Sequence, residues 1–386
     1  MWAEELEMIR IFPSFRVPSL PSTLVPRRHL SSVASSSSPA RESQRRSPSV
    51  GPAPSPNKLE ISPKTPLFLR PPAHAAPLSE VRKWHEWARS LASSVGSSFT
   101  DADDGPDSVL LLRELKWLIE DSIEGDPSAI HRREIGGNSE NLKLRAPVED
   151  LYALWRQRIE ERRPFQYVVG CEHWRDLVLC VEEGVLIPRP ETELIVDMVE
   201  ELLARDEGFK EGFWADLGTG SGAIAIGVAR VLGSRGKVIA TDLSPVAVSV
   251  AGHNVQRYGL QEMIEVREGS WFEPLNEFEG KLMGIVSNPP YIPSDNISGL
   301  QEEVSRHEPR LALDGGIDGT DCLLHLCHGA SRMLKAGGFF AFETNGEEQS
   351  KMLVEYMTSG PMGCFSDVKA VSDFAGINRF VTGFRL

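Results

Sequence analysis

Two short segments carry residue types suited to chemistry rather than to filling a core. The first is SNPPYIP, residues 287–293, which follows the apolar run KLMGIV. Two prolines stop a strand's hydrogen-bond ladder abruptly, because proline has no N–H to donate. An amide, Asn288, precedes them and a phenol, Tyr291, follows. A planar amide or amino nitrogen has a delocalised lone pair and is a poor nucleophile. The Asn288 side-chain oxygen and the Pro289 carbonyl can accept its two N–H hydrogens, and the rings of Pro289 and Pro290 hold both acceptors in place. Two acceptors aimed at one NH₂ fix its plane, expose its π-face and stabilise positive charge as a bond forms. Tyr291 is expected to stack on the planar group.

The second segment is DLGTGSG, residues 216–222, followed by the helical pattern AIAIGVA. Gly218, Gly220 and Gly222, with Thr219 between the first two, allow a sharp turn and a close ligand approach. The G-x-G-x-G spacing differs from the G-x-G-x-x-G of pyrophosphate sites, and no Gly-Lys-Ser/Thr follows. Asp242 closes the next strand, in ATDLSP, where an acid can accept both ribose hydroxyls of an adenosine. Glycine loop plus strand-end acid is the arrangement by which class I methyltransferases hold S-adenosylmethionine. Asp216 is expected to accept from the cofactor's ammonium group, Trp271 to stack on its adenine, and Asn288 to lie beside it.

Other constellations are weaker. Cys322, His325, Cys327 and His328 lie in one helical pattern, where Cys322 and His325 share a face and Cys327 does not, so they cannot converge on a metal. No metal is expected. Glu191 and Glu193 suit the first turn of a helix through its dipole. Glu302 and Glu303 are expected to be solvated.

The elements that position these residues follow from periodicity. Strand patterns at 213–217, 237–243, 263–269, 281–287 and 337–344 alternate with helical ones, which argues for a doubly wound, mostly parallel sheet. In such a sheet ligands sit beyond the carboxyl ends of the strands. The corner at 288–291 therefore meets the glycine loop if the strand at 281–287 neighbours that at 213–217. CFSDVKAV and NRFVTGFRL read as an antiparallel C-terminal hairpin. Upstream, Val81, Trp84, Ala88, Leu91 and Val95, the stretch VLLLRELKWLIEDSI, and Leu151, Leu154, Trp155 and Ile159 mark three helices. FQYVVG and LVLCVEEGVLI between them and the sheet read as β-rich. The expected divisions are 1–75, 76–163 (helical), 164–190 (β-rich connector) and 191–386 (α/β).

Several segments together resemble the HemK-type glutamine N5-methyltransferases of peptide chain release factors. They are RRPFQYVVG (162–170), LIPRPETE (186–193), DLGTGSGAIAI, ATDLSP, SNPPYIP and HEPRLALDGGIDG (307–319), in the family's order, and the resemblance covers about residues 80–386. It implies a Rossmann-like class I S-adenosylmethionine-dependent fold behind a small helical substrate-docking domain. It also implies a class I release factor as protein substrate, its glutamine carboxamide held by Asn288, Pro289, Pro290 and Tyr291. DADDGPD and EIGGNSEN lengthen the loops of the docking domain. ETN at 343–345 departs from the Glu-His-Gly or Glu-Ile-Gly that relatives often carry, at a position expected to lie away from the motifs.

Composition bounds the alternatives. The net charge is −14, with ten Lys/Arg against five Asp/Glu in residues 1–70 and 31 against 50 in the rest. An acidic body is a poor match for a nucleic-acid backbone, which disfavours the rival reading, an amino-group methyltransferase of DNA or RNA. A non-catalytic cofactor-binding module is the third reading, and an intact Asn288 and Tyr291 argue against it. Five scattered cysteines suggest reduced thiols, and no apolar run approaches a membrane span. A monomer is expected. Nine of the twenty residues from Ser31 to Val50 are serine, arginines recur, and only Glu42 and Glu60 are acidic between Met8 and Arg70. That composition marks an organellar transit peptide, for plastid or mitochondrion. The acidic opening MWAEELEM fits only a start at Met8 or an atypical presequence.

Overall fold

The computed structural model describes residues 64–131, 141–359 and 362–386. Most of the expected import segment lies outside the described residues. The folded chain begins before the expected boundary at residue 76. Leu67 is wholly buried, and strand β1 (His74–Pro77) pairs antiparallel with β2 (Asn141–Leu144).

Helix α1 (Leu78–Val95) buries Val81, Trp84, Ala88, Ala92 and Val95 along one face, as the three- and four-residue spacing requires. A short α2 (Ser98–Asp103) leads to α3 (Ser108–Ser122), which the Asp107 carboxylate caps by accepting from the Leu110 N–H at 2.8 Å. Helix α4 (Val148–Glu160) buries Trp155, whose indole donates to the Ala88 carbonyl at 2.9 Å. These elements share one core. FQYVVG is not extended but forms the helical turn α5 (Phe165–Val169). Pro164 leads into its first turn and Gly170, at φ 81°, ends it. The β character of the connector is confined to a hairpin, β3 (Cys171–Trp174) with β4 (Leu177–Cys180).

The remainder is α/β. In chain order it comprises α6 (Glu193–Arg205), β5 (Gly212–Leu217), α7 (Ala223–Leu232), β6 (Gly236–Asp242), α8 (Pro245–Arg257), β7 (Ile264–Glu268) and β8 (Leu282–Ser287). It continues through α9 (Glu302–His307), α10 (Asp321–Met333), β9 (Leu334–Glu343), α11 (Glu347–Thr358), β10 (Phe365–Ser372) and β11 (Asn378–Arg385). The seven strands order as β10-β11-β9-β8-β5-β6-β7. β5 to β9 run parallel, and β11 and β10 close the sheet antiparallel. This is the class I methyltransferase architecture behind a helical domain. Apolar clusters cover both faces of the sheet. β9 starts at Leu334, ahead of the expected Gly337, and α11 has no counterpart in the sequence reading.

The chain runs outward from β5 to β7, then returns to β8 on the other side of β5. The crevice at this reversal lies between the carboxyl ends of β5 and β8. Among the described residues no helix is long and apolar enough to cross a membrane.

Candidate active site

The glycine loop leaves β5 in a conformation that side chains resist. Gly218, Gly220 and Gly222 have φ of 75°, 55° and 84°. The Thr241 carbonyl of β6 accepts from both the Gly218 and Thr219 N–H groups at 2.9 Å. Below the loop, the Asp216 carboxylate accepts from the Thr219 hydroxyl at 2.6 Å and from the Ala225 N–H at 3.0 Å, tying β5 to the start of α7. Its other oxygen is buried without a hydrogen-bond partner. Burial lifts the Asp216 pKa to about 7 against those two donors, and the charge of Asp242 adds to the rise. On the other side, the buried Asn254 carboxamide donates to the Ser221 and Cys180 carbonyls and accepts from the Cys180 N–H. It thereby joins loop, α8 and connector hairpin.

Asp242 sits at the end of β6, half-buried. Its carboxylate accepts from the Gly220 N–H and the Ser244 N–H, each at 2.9 Å. Burial raises its pKa in spite of these donors. Trp271 holds a left-handed φ of 45°, a costly conformation for a bulky residue. A Cβ at Gly218 would lie 3.8 Å from the Trp271 ring and 4.0 Å from the Asn288 carbonyl. Loop, aromatic and corner therefore converge.

They enclose a cavity of about 240 Å³. Gly218, Thr219, Gly220, Asp242, Trp271, Asn288 and Pro290 line it; Asp216, Gly222, Pro289 and Tyr291 do not. The chemistry of the wall suits S-adenosylmethionine. The positive-φ glycines leave backbone exposed where a Cβ would intrude, and Asp242 offers acceptors beside an aromatic ring. The unpartnered Asp216 oxygen is fully buried beneath the loop and is not part of this wall. Among the described residues no cluster of His, Cys, Asp and Glu has the arrangement of a metal site.

The corner is built from behind. Ser287, the last residue of β8, donates to the Leu217 carbonyl of β5 at 2.6 Å. Asn288 donates its amide N–H to the Thr192 hydroxyl at 3.0 Å. Thr192 in turn donates to the Glu343 carboxylate at 2.7 Å. The Tyr291 hydroxyl donates to the other Glu343 oxygen at 3.0 Å, with its ring against the core cluster. Position 343 is thus in direct contact with the corner, contrary to the expectation that it lies away from the motifs. Burial lifts the Glu343 pKa to about 7, against the Thr192 and Tyr291 hydrogen bonds and the charge of Arg379. Burial and the Glu343 charge together push Tyr291 well above the usual phenol range.

The other motifs brace this assembly. Residues 313–319 run alongside the corner, the Leu313 carbonyl accepting from Ile292 N–H and the Ile292 carbonyl accepting from Gly315 N–H. A Cβ at Gly315 would fall 2.8 Å from the Tyr291 Cα, which explains the glycine there. Arg189 of the 186–193 motif donates to Glu308 at 2.5 Å, and the same carboxylate accepts from the Ile187 N–H. Two motifs distant in sequence are thereby one ion pair.

Glu303 corrects the sequence reading: it is buried, not solvated. Arg158 donates to it at 3.0 Å and Arg162 at 2.7 and 2.5 Å. Arg158 also holds Glu114 through two bonds and Arg162 holds Asp103, so α9 is clamped to the helical domain. Burial pulls the Glu303 pKa upward, but the two guanidinium groups outweigh it and leave it lowered. Glu193 begins α6 as expected, and its carboxylate accepts from the Arg175 N–H at 2.7 Å.

Thr192, Asn254, Glu303 and Glu343 are functional or supporting residues that sequence reasoning missed. For Glu343 a signal existed: it ends a central parallel strand at the ligand side of the sheet.

The chain is similar to known methyltransferases. A family model described as ribosomal protein L11 methyltransferase (PrmA) matches residues 189–308. A release factor glutamine methyltransferase of Synechocystis sp. is 37% identical over 304 residues, 78% of this chain and 95% of that one. The protein of that name from Gloeobacter violaceus is 44% identical over 243 residues, 62% of this chain and 81% of that one. The one from Thermosynechococcus vestitus is 35% identical over 301 residues, 78% of this chain and 97% of that one.

Proposed function

The chain belongs to the release factor glutamine methyltransferase (HemK) family, enzymes that use S-adenosylmethionine, and we propose that it methylates the side-chain N5 of the glutamine in the Gly-Gly-Gln motif of organellar class I release factors. The observation that carries this reading is the orientation of Asn288. Its amide nitrogen is committed to Thr192, so its oxygen remains for a substrate N–H at the wall of the cavity. S-adenosylmethionine, when bound, would supply an electrophilic sulfonium methyl, the carbon–sulfur bond breaking as nitrogen bonds to carbon and its electron pair leaving on the neutral thioether.

The chain's own contribution is positioning and charge. Gly218 to Gly222 and Asp242 seat the cofactor, and Trp271 flanks it. The Asn288 oxygen and the Pro289 carbonyl accept the two N–H hydrogens of the glutamine carboxamide and turn its face toward the methyl. Both acceptors stabilise the positive charge that nitrogen gains as it bonds to carbon. The nitrogen then sheds one proton along the hydrogen bond that held it, and that proton ends in solvent. Pro290 shapes the slot and Tyr291 braces the corner from behind through Glu343, with the glutamine's own protein docking against the helical domain.

The Ser- and Arg-rich, acid-poor composition of residues 9–59 supports import into an organelle, plastid or mitochondrion. The test is transfer of labelled methyl to a purified organellar release factor, with DNA as the parallel substrate and mass spectrometry to place the label. One methyl on the Gly-Gly-Gln glutamine is expected, and none when that residue is changed to glutamate. Methyl found on nucleic acid or on another residue overturns the assignment.

A further inference from the structure

Asn288 can serve as an acceptor only if its carboxamide faces the right way, and nothing in the Asn-Pro-Pro-Tyr corner itself decides that. A carboxamide is nearly symmetric in shape, so the choice between presenting C=O or NH₂ falls to its hydrogen-bond partners. The only side-chain partner of the Asn288 amide nitrogen among the described hydrogen bonds is the Thr192 hydroxyl, at 3.0 Å. A hydroxyl has one proton. Here that proton goes to Glu343, 2.7 Å away, which leaves the Thr192 lone pairs for the Asn288 NH₂. The second Glu343 oxygen is occupied by the Tyr291 hydroxyl at 3.0 Å. Glu343 and Thr192 are both almost wholly buried, at 1% and 4% exposure, so water cannot substitute for either partner.

We propose that Glu343 is a positioning residue of methyl transfer: through Thr192 its carboxylate sets the Asn288 carboxamide with oxygen toward the substrate. The inference rests on the reading that Asn288 accepts from the substrate amide. It also assigns Glu343 a charge state. An ionised carboxylate accepts from both Thr192 and Tyr291. A carboxylic acid protonated toward Thr192 donates instead, Thr192 then offers its own hydrogen to Asn288, and the carboxamide turns over. The corner would then point an N–H at the substrate's N–H, which repels rather than binds.

The surroundings set when this happens. Glu343 is the last residue of β9, beside Phe380 on β11. Arg379 of β11 favours the carboxylate, though its guanidinium is engaged by Asp373 at 2.9 Å. Glu191 beside Thr192 opposes ionisation. Burial is the larger opposition, and against the Thr192 and Tyr291 hydrogen bonds it lifts the pKa to about 7. Because the raised group must be ionised to act, activity rises with pH through about 7 and levels above it.

The test has two readouts, one of which needs no substrate. In full-length protein labelled with ¹⁵N-asparagine, the Asn288 side-chain NH₂ signal, assigned by its loss in Asn288→Asp, is followed from pH 5.5 to 8.5. It should shift with a midpoint near 7 in wild type and stay still in Glu343→Gln. With a release factor as substrate, Glu343→Gln should lower kcat at pH 8 by roughly 30- to 100-fold, the scale of a misoriented transition-state partner. The affinity for S-adenosylmethionine should stay within about twofold. Its rate should no longer rise through pH 7. Thr192→Val should lose as much, and the double variant no more, because the two act in series. An Asn288 signal that ignores pH, or moves equally in Glu343→Gln, overturns the relay. So does an unchanged kcat, or cofactor affinity that falls in step with the rate. If wild type leaves the release factor unmethylated, the substrate reading fails, while the ¹⁵N signal still decides the relay.

Discussion

Two glutamates, Glu303 at the junction with the helical domain and Glu343 behind the Asn-Pro-Pro-Tyr corner, are buried at 7% and 1% exposure. Their partners differ. Glu303 meets two guanidinium groups, Arg158 and Arg162, whereas Glu343 meets two neutral hydroxyls, Thr192 and Tyr291. Burial acts on both, yet the arginines drag Glu303 below the usual carboxylate range while Glu343 rises to about 7. Charge pairing keeps Glu303 ionised across the physiological range, although burial still raises Glu114, its neighbour in the clamp. Neutral donors position a carboxylate just as firmly and leave it able to titrate. The fold uses the first device to hold its domains and the second around the candidate site, for Asp216 is also held by neutral donors and also rises to about 7.

The sharpest way to break that contrast is to make the clamp resemble the site. Arg158→Gln leaves Glu114 and Glu303 buried with Arg162 as the remaining guanidinium on Glu303. Removing one partner of a buried ionic set typically costs about 3–5 kcal/mol, and that loss is expected in denaturant unfolding at pH 8. Glu114, which burial already raises, would rise further and Glu303 would rise too, so part of the loss should be recovered as pH falls and they protonate. A loss under about 1 kcal/mol, or one independent of pH, would show that solvent reaches this interface and that it is an ordinary surface pair.

Glu343→Gln should do the opposite to stability. A carboxyl raised in the folded state contributes stability that is full below its unfolded pKa of 4.5 and lost as pH rises through about 7. At pH 8 the wild-type protein carries that cost, of order 3 kcal/mol for a shift of this size in a group only 1% exposed. Glutamine is neutral, and with its C=O toward the Tyr291 hydroxyl and its NH₂ toward Thr192, the orientation that breaks the relay, it still meets both hydroxyls. The variant is therefore expected to be more stable than wild type at pH 8, by up to about 3 kcal/mol, with the gap closing toward pH 5. Parallel unfolding curves across that range would remove the titrating carboxyl from the account. A variant both more stable and less active would mark position 343 as one where stability is given up for function.

The sheet was legible because its strands are continuous apolar runs and its turns are marked by glycine and proline. All five parallel strands lie within a few residues of their expected spans. Local pattern could not separate FQYVVG from a strand, since a five-residue apolar run satisfies either period. Site residues on loops with a special backbone need, such as Gly218 and Asn288, were visible. Thr192, Glu303 and Glu343 were not, because each acts through a partner far away in sequence: 151 residues separate Thr192 from Glu343 and 145 separate Arg158 from Glu303. A glutamate read by composition alone is a solvated residue. Only the neighbours that topology delivers turn it into a clamp or a relay.

Asp242 lies between the two extremes and gives the finest test. Its donors are neutral, as for Glu343, but they are backbone N–H groups of Gly220 and Ser244, and its carboxylate also faces the cavity. One residue is therefore placed for two roles, shaping the loop, which its hydrogen bonds show, and the proposed reading of the ribose. Asp242→Ala should weaken S-adenosylmethionine binding by about 1.5–3 kcal/mol, the scale of hydrogen bonds to a charged group. That loss alone does not separate the roles, because the Gly220 N–H is also freed. A cofactor analogue lacking a ribose hydroxyl does separate them. If Asp242 reads the ribose, wild type should bind the deoxy analogue as weakly as the variant binds the natural cofactor. The variant should then hardly distinguish the two ligands, since the hydroxyl has lost its acceptor. If Asp242 only shapes the loop, the variant loses affinity for both ligands by the same factor, and the hydroxyl's contribution survives intact. Calorimetry on the four combinations measures that difference directly, and a coupling energy near zero would take the ribose away from Asp242.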